Sequence, residues 1–87
     1  MVAYTIYFSK QAQQDAKKMQ ERQKEKAKKL IGLLKKNPFQ NPPPYEKLKF
    51  DLEGKYSRRI DIRNRLVYEV DIQAKTVKIL RMRTHFE

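Results

Sequence analysis

Cysteine and tryptophan are absent from this 87-residue chain, histidine occurs once and glycine twice. The lack of cysteine excludes disulfide staples and thiolate metal sites, fits a reducing compartment and leaves packing as the source of stability. One histidine among scattered Asp and Glu does not supply the ligand cluster that a metal nuclease needs, so no metal or cofactor is expected. Long apolar runs are missing too: nothing approaches a membrane span, and the opening MVAYTIYF alternates where a signal peptide would be continuously apolar. A cytoplasmic protein is expected. Acidic residues are the minority, 10 against 21 Lys and Arg, for a net charge of +11. Such an excess repels itself in the compact state unless a polyanion neutralises it, which points to nucleic acid or an acidic protein as partner. A membrane is disfavoured, because the helical stretch has few large apolar residues and no lipidation motif precedes it.

What is present reads as one domain over residues 1–87. Val2 to Phe8 alternates with period two and predicts a strand, followed by Ser9 as an N-cap. Lys10 to Lys36 contains no proline and consists mostly of good helix formers; Ala12, Ala16 and Met19 share one face, as do Ala27, Leu30, Ile31 and Leu34. The polar stretch QERQKEK lacks apolar anchors, so a break near Gln20 to Gln23 is expected, giving a two-helix hairpin or, alternatively, one long bent helix. Pro38 stops the helix, and residues 37–45 (NPFQNPPPY) read as a stiff extended spacer. Tyr56 to Ile62 and Arg65 to Val70 then alternate around Arg63-Asn64, read as a two-residue hairpin turn. Thr76 to Thr84 supplies a last strand after a turn at Gln73 to Lys75. The order predicts an α+β fold: an N-terminal strand, a two-helix hairpin and a three-stranded antiparallel meander, with both helices on one face of the sheet.

Alternation then sorts the side chains. Ile60, Ile62, Leu66, Tyr68 and Val70 are expected to face the helices, and Arg59, Asp61, Arg65, Val67 and Glu69 the open face. In the last strand Leu80 and Met82 suit the core, which sends Arg81, Arg83 and His85 to the open face, although Val77 and Ile79 share their parity. Arg58 and Arg59 point opposite ways, so a phosphate role goes to Arg59 alone and Arg58 is left for an RNA or protein partner. Glu46 and Lys49 follow the proline segment, which would hold a carboxylate beside the open face. A carboxylate, an imidazole and fixed guanidinium groups suit metal-free RNA cleavage. A base removes the 2′-hydroxyl proton, an acid protonates the departing 5′-oxygen, and arginines stabilise the charged phosphoryl group. Glu46 and His85 would divide the first two roles, and Arg59 and Arg65 would take the third.

The stretch PPPYEKLKFDLEGKYSRRI is similar to a family pattern P-E-x-L-K…L-x-G-x-[WY]-S-R-R-I, and it is followed by RLVYEV and a terminal basic-x-His-aromatic. Over residues 42–86 the chain thereby resembles the YoeB/Txe branch of the RelE superfamily of bacterial toxin endonucleases. The resemblance implies a fold like that of microbial ribonucleases and cleavage of mRNA in the ribosomal A site. It also implies inhibition by a cognate antitoxin of the YefM/Phd/Axe type and a homodimer. Matched residue by residue, it implies Glu46 as general base, Arg65 as the transition-state arginine and His85 as general acid, with Lys49 and Arg59 near the scissile phosphate. Arg83 and Phe86 are the remaining candidate RNA contacts. The family usually ends in His-Tyr; here His85-Phe86 precedes Glu87, so a phenolic hydroxyl is missing and attenuated activity is an expectation, while the ring can still stack on a base.

Blander readings stand beside these. Lys17, Lys18, Lys24, Lys26, Lys28, Lys29, Lys35 and Lys36 are ordinarily a solvated helix surface, and on this basic domain they are also candidates for contact with ribosomal RNA. Tyr4, Tyr7, Tyr56 and Tyr68 read as core or core-edge rings. A non-catalytic ribosome-binding module would carry the same charge. A gyrase-targeting relative would share the scaffold, but such relatives lack the Glu, Arg and His set found here.

Overall fold

The computed structural model describes residues 3–48, 54–62 and 64–82. Its elements run β1 (Thr5–Phe8), α1 (Lys10–Lys18), α2 (Glu21–Lys36), β2 (Glu46–Lys47), β3 (Lys55–Arg59), β4 (Arg65–Asp71) and β5 (Thr76–Arg81). The strands form one sheet in the order β1-β5-β4-β3-β2, antiparallel throughout except that β1 lies parallel to β5. The α+β architecture is the expected one, widened by the two-residue edge strand β2.

Ser9 caps α1 as predicted, its Oγ accepting the Ala12 N–H at 3.0 Å. The helix break falls at Met19-Gln20, where both residues are extended. No breaker residue marks it; Gln23 Oε1 accepts the Gln20 N–H at 3.1 Å and restarts the chain as α2. The helices bury Ala12, Met19, Ala27 and Leu34 against Ile60, Leu66, Tyr68, Val77, Ile79 and Met82, with Leu30, Ile31, Tyr56 and Val70 at the margin. At about 25 cal/mol per Å² of apolar surface removed from water, this layer is the main favourable contribution to folding. No described helix is long and apolar enough to cross a membrane.

Several local expectations are corrected. β3 ends at Arg59 and β4 begins at Arg65, and these two form the last ladder pair, so the chain leaves the sheet before Ile60 and not at the two-residue turn read at Arg63-Asn64, of which Arg63 lies outside the described residues. The Asp61 carboxylate organises that loop by accepting from Asn64 N at 2.8 Å and Asn64 Nδ2 at 3.2 Å, and it also receives Gln23 Nε2 of α2 at 3.0 Å. Leaving the strand early breaks the alternation, so Ile60 is buried as expected but Ile62 is 92% exposed, and Asp61 serves the loop instead of the open face.

A β-bulge corrects β5. Tyr68 pairs with Ile79, but Val67 pairs with Arg81, so Leu80 is the extra residue. The bulge reverses the alternation, which lets Val77 and Ile79 join the core before it and Met82 after it. β1 ends at Phe8 opposite Ile79. Beyond that point α1 borders β5: Ser9 Oγ donates to Leu80 O at 2.8 Å, and Asp15 accepts from Met82 N at 3.1 Å and Arg81 Nε at 2.9 Å. Arg81, expected among the open-face cations, is thus held by α1. Tyr7, expected near the core, is 54% exposed.

Candidate active site

The open face of the sheet collects its polar groups through strand register. β2 sets Glu46 opposite Ser57 of β3, Ser57 lies opposite Val67 of β4, and two residues along Arg59 lies opposite Arg65. Side chains two apart on one face of a strand stand about 7 Å apart, within reach of an arginine. Arg65 accordingly reaches across β3, and its Nη1 donates to Glu46 Oε1 at 3.0 Å and more weakly to Ser57 Oγ at 3.4 Å. The Glu46 side chain is 67% exposed and that of Arg65 29%. The carboxylate therefore faces solvent while its cation is partly embedded. Arg59 is exposed beside Arg65 and forms no ion pair among the described residues.

Two guanidinium groups and one carboxylate at this spot leave an unbalanced positive charge suited to an anionic ligand. Guanidinium forks give paired donors to phosphoryl oxygens, and Glu46 offers a proton acceptor alongside. Of the residues expected here, Glu46, Arg59 and Arg65 are brought together. Lys49, Arg83, His85 and Phe86 lie outside the described residues. No group of three or more His, Cys, Asp or Glu side chains comes together among the described residues.

The largest departure concerns Arg58, to which sequence reasoning gave an external partner. It is 1% exposed. Its Nε donates to Tyr68 Oη at 3.0 Å, Nη1 to Pro43 O at 2.6 Å, and Nη2 to Pro38 O at 3.1 Å and Gln40 O at 2.8 Å. The guanidinium carbon also sits 5.0 Å from the Tyr45 ring centroid. The proline segment is thus no extended spacer: it turns, with Gln40 N donating to Asn37 O at 3.2 Å, and wraps three carbonyls around a buried cation. Tyr45 and Tyr68 join Phe39 and Tyr56 in a connected cluster of rings whose neighbouring centroids are 5.4 to 6.3 Å apart. Burial pushes the Tyr68 phenol above its ordinary pKa of 10.0, although the neighbouring Arg58 pulls the other way. It stays neutral, accepting from Arg58 and donating to Pro38 O at 3.3 Å.

Sequence reasoning also missed Ser57. Its parity with Arg59 was the available signal, since alternate residues of one strand share a face.

Comparison with known proteins agrees with the fold. A family model described as the YoeB-like toxin of bacterial type II toxin-antitoxin systems matches residues 8–86. Among solved structures, the YoeB/ParE toxin from Agrobacterium tumefaciens superposes with a TM-score of 0.84 at 28% identity, covering 94% of this chain and 99% of that one. The YoeB dimer from Staphylococcus aureus gives 0.82 at 34% identity, with 97% and 99% covered. YoeB in the heterotetrameric YoeB-YefM complex from the same organism gives 0.81 at 34%, with 95% and 98% covered. Curated protein sequences yield no match.

Proposed function

The chain belongs to the YoeB-like toxins of bacterial type II toxin-antitoxin systems, and from that premise we propose that it is a ribosome-dependent endoribonuclease that cuts mRNA in the A site without a metal ion and so stops translation. The observation that carries this reading is the Glu46–Arg65 pair at 3.0 Å on the open sheet face with Arg59 beside it. Glu46 takes the proton of a ribose 2′-hydroxyl, and the freed oxygen attacks the adjacent phosphorus. His85 protonates the departing 5′-oxygen, leaving a 2′,3′-cyclic phosphate and a 5′-hydroxyl. Arg65 has five N–H donors and engages Glu46 and Ser57 through Nη1, so further donors remain for the phosphoryl oxygens. Arg59 adds a second fork, Lys49 and Arg83 add cations to the RNA path, and Phe86 stacks on a base.

The partners are the ribosome with its mRNA, approached through the lysines of α1 and α2, and a cognate antitoxin of the YefM/Phd/Axe type. A homodimer and a cytoplasmic location complete the reading. The similar YoeB dimer and YoeB-YefM complex from Staphylococcus aureus support the homodimer and the antitoxin.

The test is a programmed-ribosome assay that maps new mRNA ends with and without ribosomes. The protein is expected to cut only in the A site, Glu46→Gln and Arg65→Ala to lose at least about 100-fold in rate, as removal of an acid-base or charge-stabilising group does, and Phe86→Tyr to cut faster. Unchanged translation inhibition by Glu46→Gln and His85→Ala would instead identify a binding module that blocks the A site without chemistry.

A further inference from the structure

β2 is two residues long and lies at the sheet edge, yet it carries the carboxylate on which the proposed chemistry turns. Its ladder to β3 has only two register pairs, Glu46 with Ser57 and Lys47 with Tyr56, followed by the Leu48 N–H to Lys55 O bond at 3.0 Å. So short a strand does not fix its own position; strands normally run five or six residues. The residues before it supply what it lacks. Carbonyls of Pro38, Gln40 and Pro43 are fastened to Arg58, and Tyr45, adjacent to Glu46 in the chain, is packed on three groups at once: the Arg58 guanidinium at 5.0 Å, Phe39 at 6.3 Å and Tyr56 at 5.8 Å.

We propose that Arg58 and Tyr45 form a clamp that positions Glu46 against Arg65. Both are positioning residues: neither is placed on the open face, and they act through the backbone that delivers the carboxylate. Burying a cation without a carboxylate partner is costly, and no ion pair among the described residues includes Arg58. Its compensation comes from three carbonyls, a neutral phenol and a ring face. All but the phenol belong to residues 38–45, so the cation and the connector order one another. The segment that composition presents as a spacer is the mounting of the base.

This inference rests on Glu46 being the base, and its test separates the two ideas. Arg58 substitutions risk unfolding, so the informative variant is Tyr45→Ala, which removes the ring but leaves the carbonyl fork; Tyr45→Phe keeps the ring and serves as rescue. The first readout needs no activity: the Arg65 guanidinium NMR resonances report its hydrogen bond to Glu46. In Tyr45→Ala they are expected to move toward those of Glu46→Gln, and in Tyr45→Phe to stay with the wild type. Unmoved resonances in Tyr45→Ala overturn the clamp, whatever the enzyme does.

The second readout is single-turnover cleavage on programmed ribosomes. Tyr45→Ala should lose at least tenfold in rate at saturating toxin with less than a twofold change in ribosome affinity, and Tyr45→Phe should retain the rate. The double variant Glu46→Gln/Tyr45→Ala should be no slower than Glu46→Gln alone, because a residue acting through Glu46 adds nothing once Glu46 is removed. Additive losses would mark Tyr45 as a general stability residue and overturn the proposal. Full activity in Glu46→Gln would refute the base assignment, and with it the catalytic purpose of the clamp, while the resonances still decide whether the clamp exists.

Discussion

Asp15 joins α1 to the end of β5, and replacing it by alanine separates two contributions that the structure superimposes. The Asp15 side chain is 11% exposed, and its carboxylate accepts Arg81 Nε at 2.9 Å, Arg81 Nη2 at 3.3 Å and the Met82 N–H at 3.1 Å. The Arg81 side chain is 42% exposed, so water replaces the lost carboxylate there and the ion pair contributes about 0.2–1 kcal/mol, as exposed pairs do. Met82 is 4% exposed, and a buried N–H left without an acceptor costs about 1–3 kcal/mol. Asp15→Ala should therefore cost about 1–4 kcal/mol, out of a total near 4–13 kcal/mol for a chain of this size. At about 4–8 °C per kcal/mol, the melting temperature falls by roughly 5–30 °C. Arg81→Ala leaves the Asp15–Met82 bond in place and should lower it by less than about 8 °C. Thermal unfolding followed by far-UV circular dichroism measures both. Equal losses in the two variants would show that the ion pair, not the backbone bond, carries the junction. A change below about 3 °C in Asp15→Ala, under 1 kcal/mol on that scale, would refute the whole account.

The two glycines predict opposite signs for one substitution. Gly32 is exposed within α2 with open space around a built Cβ, so Gly32→Ala should stabilise by about 0.5–1 kcal/mol through helix propensity. Gly54 has φ +83° and equally open space, so Gly54→Ala should destabilise by about 1 kcal/mol through backbone conformation alone; urea titration of both checks the pair. Tyr68 predicts an alkaline weakness. Its phenol pKa is higher folded than unfolded, so its contribution is fully present below pH 10.0 and is lost as pH rises through the folded value. Tyr68→Phe should thus be less stable than the wild type at pH 9, by about 1–2 kcal/mol for the lost Arg58 bond, and the gap should narrow at pH 11. A gap that stays constant or widens in urea unfolding would contradict the assignment.

Periodicity was readable where one rule governed a segment. The Ser9 cap, the helix faces ending in Leu34 and the alternation of Leu66, Tyr68 and Val70 all obey local geometry, and the structure agrees. Parity likewise brought Arg59 and Arg65 to one face, and the position of Glu46 just after the proline segment added its carboxylate. Alternation failed where a single residue interrupts it: the Leu80 bulge moved Val77 and Ile79 into the core, and the Asp61–Asn64 loop turned Ile62 outward. Neither interruption has a residue type that announces it.

The sequence by itself determined the order of the elements apart from β2, the cationic character and the candidate polar groups of the open face, because these depend on residue type and spacing. Only the tertiary structure decided that Arg58 is an interior residue and that the prolines are its ligands. Those contacts join residues 15 to 20 positions apart. They form because a buried guanidinium must find acceptors, and the carbonyls of a turning connector were the acceptors that folding brought within reach.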